Sequence, residues 1–275
     1  MYARTSKDLE LSARVKMLSE PVVCSERYLS VADGMGFSYH INSIEAPSIS
    51  NLWYRNHWEA NFIITGQGKL TDRTGGEEWS LAPGTIYVVG PNDPHTIEVT
   101  GDMRVASIFS PALQGDEEHD EEGSYPSVHP VDAKGRRMFV RHAGDLRAAG
   151  KEMIVANGTA RTLRMLNKAD DIGFSFSDVH FDAGATTDLW YKNHWEGNYI
   201  AAGRGTVNDL TTGESWELAP GLLYSVGPKD RHRITAETDL HILSVFCPPI
   251  QGDEQHDADG VLEASGPVPP GPPGY

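Results

Sequence analysis

The sequence predicts an all-β protein made of two tandem jelly-roll barrels. Three observations predict it. The chain repeats itself once without a gap, each copy is a series of short apolar runs cut by glycine and proline turns, and the copies are joined by a Pro/Gly-containing stretch.

The repeat comes first. Met1-Tyr2-Ala3-Arg4 aligns with Met138-Phe139-Val140-Arg141, an offset of 138 − 1 = 137 residues. The same offset brings Arg27 onto Arg164, Gly36-Phe37-Ser38 onto Gly173-Phe174-Ser175, and Leu81-Ala82-Pro83-Gly84 onto Leu218-Ala219-Pro220-Gly221. WYRNHWE from Trp53 meets WYKNHWE from Trp190, and Gln114-Gly115-Asp116-Glu117 meets Gln251-Gly252-Asp253-Glu254. A period this long is a whole domain rather than a solenoid unit. The expected layout is a barrel over 1–125, a linker over 126–137, a second barrel over 138–262, and a tail over 263–275. The tail, ending GPVPPGPPGY, lacks core-forming residues and is expected to be extended or disordered.

Within copy one, strands are expected over 61–65, closed by Gly66-Gln67-Gly68, over 69–72, 78–81 and 85–89, and over 104–109. Turns fall at Thr74-Gly75-Gly76, Pro83-Gly84 and Gly90-Pro91-Asn92-Asp93. Helical patterning is confined to 6–18 and 143–154. A jelly roll closes its own sheet edges and leaves a mouth for a small ligand.

With 275 residues the chain is long enough for two cores. Its net charge of −16 repels phosphate backbones and anionic lipid, so neither nucleic acid nor a membrane is an expected partner. No apolar run approaches the roughly 20 residues of a membrane span, and MYARTSKDLE is not a signal peptide. Cys24 and Cys247 fit no zinc spacing and occupy non-equivalent places in the repeats. A reducing, cytoplasmic setting is the default expectation, with one disulfide as the alternative.

The chemistry-bearing residues repeat as well. Glu59, Tyr87 and His95 recur as Glu196, Tyr224 and His232, spaced by 28 and then 8 residues in both copies. A carboxylate, a phenol and an imidazole on neighbouring strands suit a borderline divalent metal such as iron, and zinc or manganese less decisively. The competing reading is a pair of core tyrosines flanked by solvated groups, because duplication copies core residues too. A second set, Glu117 with His119 and Glu254 with His256, sits in the acidic stretches GDEEHDEEG and GDEQHDADG. Most acidic runs are solvated loops, but these directly follow a strand, where a barrel mouth lies. His57 and His194, beside the glutamates, are either shell residues or structural histidines.

With these motifs in hand, each copy closely resembles ectoine synthase, a single-domain cupin enzyme. The matching stretches are GMGFSYHI, WYRNHWEANFIITGQGKL, LAPGTIYVVGPNDPH and FSPALQGDEEHDEEGSYP in copy one, with IGFSF, WYKNHWEGNYIAAGRGTV, LAPGLLYSVGPKDRH and FCPPIQGDEQHDADG in copy two. The resemblance implies a bicupin, two tandem double-stranded β-helix barrels. It implies an iron site at Glu59, Tyr87 and His95, and at Glu196, Tyr224 and His232. It implies substrate contacts at Arg27, Asn42, Tyr54 and Phe109, and at Arg164, Tyr191 and Phe246. Tyr87, Glu117 and His119, with Tyr224, Glu254 and His256, would then serve catalysis.

The implied reaction is a metal-dependent ring closure within an N-acylated diamino acid or related amino-acid derivative, with loss of water. The resemblance also implies pairing of such units, either as an internal pseudo-dimer or as a homodimer. The pocket walls depart from the family. Val23 and Ala160 stand where the family has tryptophan, Asn42 and Val179 where it has threonine, and His40 becomes Ser177. Copy one is therefore the more family-like site. Another cupin reaction on the same metal, a dioxygenation or an elimination, is the alternative enzyme, and a non-catalytic binder of a small polar ligand is the alternative outside catalysis.

Overall fold

The computed structural model describes residues 1–19, 22–126 and 131–275, with 18, 19 and 22 as backbone only. Residues 127–130 of the expected linker lie outside the described residues. Strands dominate, and among the described residues the two α-helices are the short Ser6–Leu11 and Ala143–Ala148. Both stop earlier than their sequence pattern suggests. Arg14 N–H reaches back to Leu9 C=O (2.8 Å) and Lys151 N–H to Leu146 C=O (2.9 Å). Left-handed Ala13 (φ 55°) and Gly150 (φ 70°) permit these helix-ending closures. The apolar residues beyond them form strands instead, Val15–Ser19 and Glu152–Val155.

The first barrel rests on an antiparallel path of Phe139–His142, Thr85–Val89, Trp58–Asp72, His95–Ser110, Ser38–Ile44, Val22–Leu29 and Val15–Ser19. Ser48–Leu52 adds to His95–Ser110, and Glu78–Leu81 to Trp58–Asp72. The expected strand end at Gly66-Gln67-Gly68 is a bend within one strand, with register shifts from Ile63 to Gly68. Gly66 has φ 94°, and a Cβ there would lie 2.4 Å from Asp102 O, so glycine lets the strand kink rather than end. Likewise 104–109 is only the end of the strand His95–Ser110.

In the second barrel the same path is broken. Seven strands run Tyr2–Thr5, Leu222–Val226, Trp195–Ala202, Leu240–Cys247, Ser175–Phe181, Ala160–Leu166 and Glu152–Val155. Four more run Thr186–Trp190, Arg231–Ala236, Gly205–Asp209 and Ser215–Leu218. Inward residues fill each barrel: Ile63, Leu70, Val99 and Val105 in the first, and Ile200, Val207, Ile234 and Ile242 in the second.

The repeat boundary is not the folding boundary. Ala3 pairs opposite Tyr224, and Val140 opposite Tyr87. Each repeat thus sends its first strand to the edge of the other repeat's barrel. The compact units are Leu9–Asp33 with Phe37–Asp145, and Met1–Asp8 with Gly34–Gly36 and Leu146–Tyr275. The described end of the linker is held by charge, with Arg137 2.8 Å from Asp72 and 3.0 Å from Asp93.

The tail, expected to be extended or disordered, has neither helix nor strand but is seated. Trp195 Nε1 donates to Pro269 O (3.0 Å), Gly271 N–H to Gly34 O (3.0 Å), and Lys229 N–H to the Tyr275 hydroxyl (2.6 Å). The Tyr275 ring lies 4.4 Å from that of Trp195. Both cysteines are free thiols. Among the described residues no helix is long and apolar enough to cross a membrane.

Candidate active site

The strand Trp58–Asp72 carries Glu59 and Asn61 on one face, two residues apart, and Asn61 lies opposite Tyr87. Glu59 and Tyr87 are therefore diagonal neighbours on the inner face. His95 opens the strand His95–Ser110 opposite Leu52, in phase with inward-facing Ile97. All three side chains are buried. Burial pushes the Glu59 carboxyl up to about 8, against a hydrogen bond from Asn61. Burial, and then Glu59, push the Tyr87 phenol well above its ordinary range. Burial brings the His95 imidazole down to about 4.

His95 also presents the right nitrogen for a metal. Its Nδ1 donates to Asp93 C=O (2.9 Å), which leaves the lone pair on Nε2. That Nε2 is buried and has no hydrogen-bond partner. The second barrel reproduces this: His232 Nδ1 lies 3.3 Å from Asp230 O, and its Nε2 is likewise buried and unpartnered. Burial takes Glu196 to about 8 as well. Each group is held in its uncharged form by burial, at a cost that a nearby divalent cation would offset. The oxygen and nitrogen donors fit a borderline divalent ion.

Glu59 and Tyr87 face a cavity of about 260 Å³ in the first barrel, lined also by His40, Asn42, Tyr54, Phe109, His119 and Tyr125, whereas His95 and Arg27 are not among its lining residues. Tyr54 OH and His119 Nε2 are 2.9 Å apart, and the Tyr54 ring meets Phe109 edge-on at 5.3 Å. His119 stacks on Tyr125 at 4.2 Å. Burial, then Arg27, bring the His119 imidazole down to about 4, so it is neutral at pH 7.

Arg27 is buried on the strand Val22–Leu29, opposite His40. One terminal nitrogen donates to Glu117 C=O (2.9 Å), the other stands 3.8 Å from the Glu117 carboxylate, and Nε has no hydrogen-bond partner. Glu117 is not among the cavity-lining residues. Its carboxylate accepts the backbone N–H groups of Gln114 and Gly115, which closes the loop. Glu254 does the same for Gln251 and Gly252, at 2.6 Å each.

Two residues that the sequence reading missed complete the site. Asn42 Nδ2 donates to Ser107 Oγ (2.9 Å), and Ser107 Oγ to Asn61 Oδ1 (2.5 Å), a chain that ends at Glu59. Ser244 and Asn198 repeat the second link. The available signal was Asn two residues after Glu in a strand, kept in both copies. His57 is buried with its ring edge-on to Phe109 at 6.3 Å, outside the cavity-lining set.

The second barrel keeps the framework in a smaller space. Tyr191 OH meets His256 Nε2 at 3.1 Å, Tyr191 meets Phe246 edge-on at 5.2 Å, and Arg164 donates to Glu254 C=O at 3.4 Å. The cavity is only about 30 Å³, walled by Val155, Ala156, Val179 and Phe181. That is room for a water molecule.

The loop that delivers His119 depends on Gly123. Its φ is 74°, and a Cβ there would lie 2.5 Å from Asn51 O. Gly123→Ala is expected to cost about 1–3 kcal/mol and to displace His119. Activity should then fall by a larger factor than the change in Tm implies; unchanged kinetics would show that this loop does not shape the site.

The model of the ectoine synthase family matches residues 1–129 and again 138–265. The chain is 42% identical over 102 residues to the L-ectoine synthase of Oceanobacillus iheyensis, covering 37% of this chain and 80% of that one. It is 39% identical over 127 residues to the L-ectoine synthase of Desulfosudis oleivorans, covering 46% of this chain and 97% of the relative. Among solved structures, the oxalate decarboxylase of Lactobacillus farciminis superposes with a TM-score of 0.66 at 14% identity, over 91% of this chain and 87% of that one. At that identity the likeness shows the bicupin fold alone.

Proposed function

The chain belongs to the ectoine synthase family of cupin hydro-lyases, and from that premise we propose that its first barrel closes a ring within an N-acylated diamino acid, with loss of water. One observation carries this reading. The 260 Å³ cavity brings the Glu59–Tyr87 pair together with the Tyr54–His119 pair.

Glu59, Tyr87 and His95 would hold a divalent metal, iron being the family's ion. When bound it supplies Lewis acidity toward the acyl carbonyl. Arg27 binds the substrate carboxylate through its planar fork, and Glu117 orients Arg27 while bracing the loop. The substrate amine attacks the acyl carbon, forming a C–N bond, and the carbonyl oxygen leaves as water. Two protons must pass from nitrogen to that oxygen. His119, neutral and hydrogen-bonded to Tyr54, would carry each in turn, taking it from the nitrogen and giving it to the oxygen. Phe109 and Tyr125 keep bulk water from the ring-closing atoms.

Arg27→Ala should lower kcat/KM on the order of 100-fold, mostly through KM, and Arg27→Lys should not restore it. An unchanged KM would remove Arg27 from carboxylate binding. The decisive experiment is incubation of iron-loaded protein with N-acetyl-diaminobutyrate without oxygen. Cyclised product is expected, and its absence would sink the assignment of this substrate.

The second barrel keeps the same donors around a water-sized space, so we place turnover in the first.

A further inference from the structure

The second barrel carries a cluster that ring closure does not use. On the strand Ser175–Phe181, Ser177, Val179 and Phe181 line the cavity, so Asp178 and His180 share the opposite face. His241, on the neighbouring strand, pairs directly across from His180. Asp178 Oδ1 lies 2.6 Å from His241 Nε2 and 3.0 Å from His180 Nε2. The two imidazoles stack at 4.4 Å with 12° between their planes.

We propose that Asp178 Oδ1, His180 Nε2 and His241 Nε2 form a divalent transition-metal site, best matched to zinc and separate from the Glu–Tyr–His set. Three arguments support it. One carboxylate oxygen and two imidazole nitrogens are a donor set that zinc favours, with bonds of about 2.0–2.2 Å. All three donor atoms lie within 4.8 Å of one another, inside the span of one coordination shell. The side chain of Asp178 is buried, while those of His180 and His241 are 33% and 25% exposed, so the site has both a fixed anchor and an entry path.

The surroundings leave one oxygen for the metal. Arg147 holds Asp178 Oδ2 at 2.8 Å, which leaves Oδ1 as a single-point ligand, and Glu152 holds Arg147 at 3.0 Å. Hydrogen-bonded carboxylates of this kind are usual around metals. Arg147 also stands 3.4 Å from His180 Nε2 and must give up that contact when the ion enters. Water fills the remaining coordination position. The nitrogens that now point at Asp178 turn their lone pairs to the ion, with the imidazole protons on Nδ1.

The first barrel is the built-in control. Its equivalent positions are Ile41, Ser43 and Arg104, and Arg104 is paired with Glu26 at 3.0 Å. The cluster is therefore a property of the second copy alone, and one site per chain is expected.

The test uses the full chain, stripped with a chelator and titrated with zinc by calorimetry and by metal analysis. Wild type should bind one equivalent more than His241→Asn or His180→Asn, and zinc should raise its Tm by more than theirs. Asparagine keeps a polar side chain at each position but is a poor zinc ligand, and two separate variants guard against one that fails to fold. The Glu59→Gln/Glu196→Gln double variant should still take up this equivalent. Equal zinc uptake and equal Tm shifts in wild type and both histidine variants would overturn the proposal, leaving a hydrogen-bonded network only. Loss of the equivalent in the double variant would overturn it as well.

Discussion

Glu59→Gln should lower kcat/KM on the order of 100- to 1000-fold, while Glu196→Gln should change it by less than about twofold. The first figure is the cost of removing a preorganised charge-stabilising group from a closed site. Glutamine keeps the shape and the Asn61 contact but cannot serve as an anionic ligand beside Tyr87. The second figure follows from cavity size: about 30 Å³ around Glu196 against about 260 Å³ around Glu59. Separate barrels behave as independent sites, so the two effects should add when combined. Metal analysis of the same proteins should show each variant losing metal from its own barrel. Equal kinetic losses in the two variants would give both barrels a part in turnover. A larger loss in Glu196→Gln would move the reaction to the second barrel.

Trp195→Ala should destabilise the second barrel by about 3–5 kcal/mol. The indole is buried and sits under the tail, with Gly271 and Gly227 so close that a Cβ on either would lie 2.1 or 2.5 Å from the ring. Truncation empties that space and removes the partner of Pro269 O and the ring beneath Tyr275. Calorimetry should show Tm lower by roughly 10 °C. Trp195→Phe keeps most of the apolar contact and should cost about 1 kcal/mol for the lost hydrogen bond, plus a share of the packing. A Trp195→Ala protein within about 1 kcal/mol of wild type would mean that the tail contributes nothing to the barrel.

Part of the candidate site was legible beforehand from repetition and family resemblance together, since duplication alone copies core residues too. Residues that keep both type and spacing across two copies stand out from the walls that drifted, such as Asn42 against Val179. The strands 78–81 and 85–89 were legible because Pro83-Gly84 and the turn after Val89 bracket them. The bend at Gly66 was not, because glycine marks a kink and a strand end alike. The helix lengths were missed because a helical apolar pattern continues past Ala13 and Gly150, and only the backbone closure there ends it.

Glu117 shows the limit most clearly. Its place after a strand and the family resemblance marked it as a proton-handling or substrate-orienting group, and its carboxylate accepts the backbone N–H groups of its own loop. Charge and sequence position do not reveal which donors will surround a carboxylate after folding.

The sequence by itself determined the doubling and the jelly-roll class, because each is written as local pattern at fixed spacing; for the Glu–Tyr–His set, spacing left the core-tyrosine reading open and the family resemblance favoured the metal one. Only the tertiary structure decided which barrel each first strand joins. Tyr2–Thr5 and Phe139–His142 are near-copies facing near-identical edges, so pairing within or between repeats makes equivalent backbone bonds, and the connections between elements select one. The same holds for the clustering of Asp178, His180 and His241. His241 is far from the other two in sequence, and strand register alone places it against them.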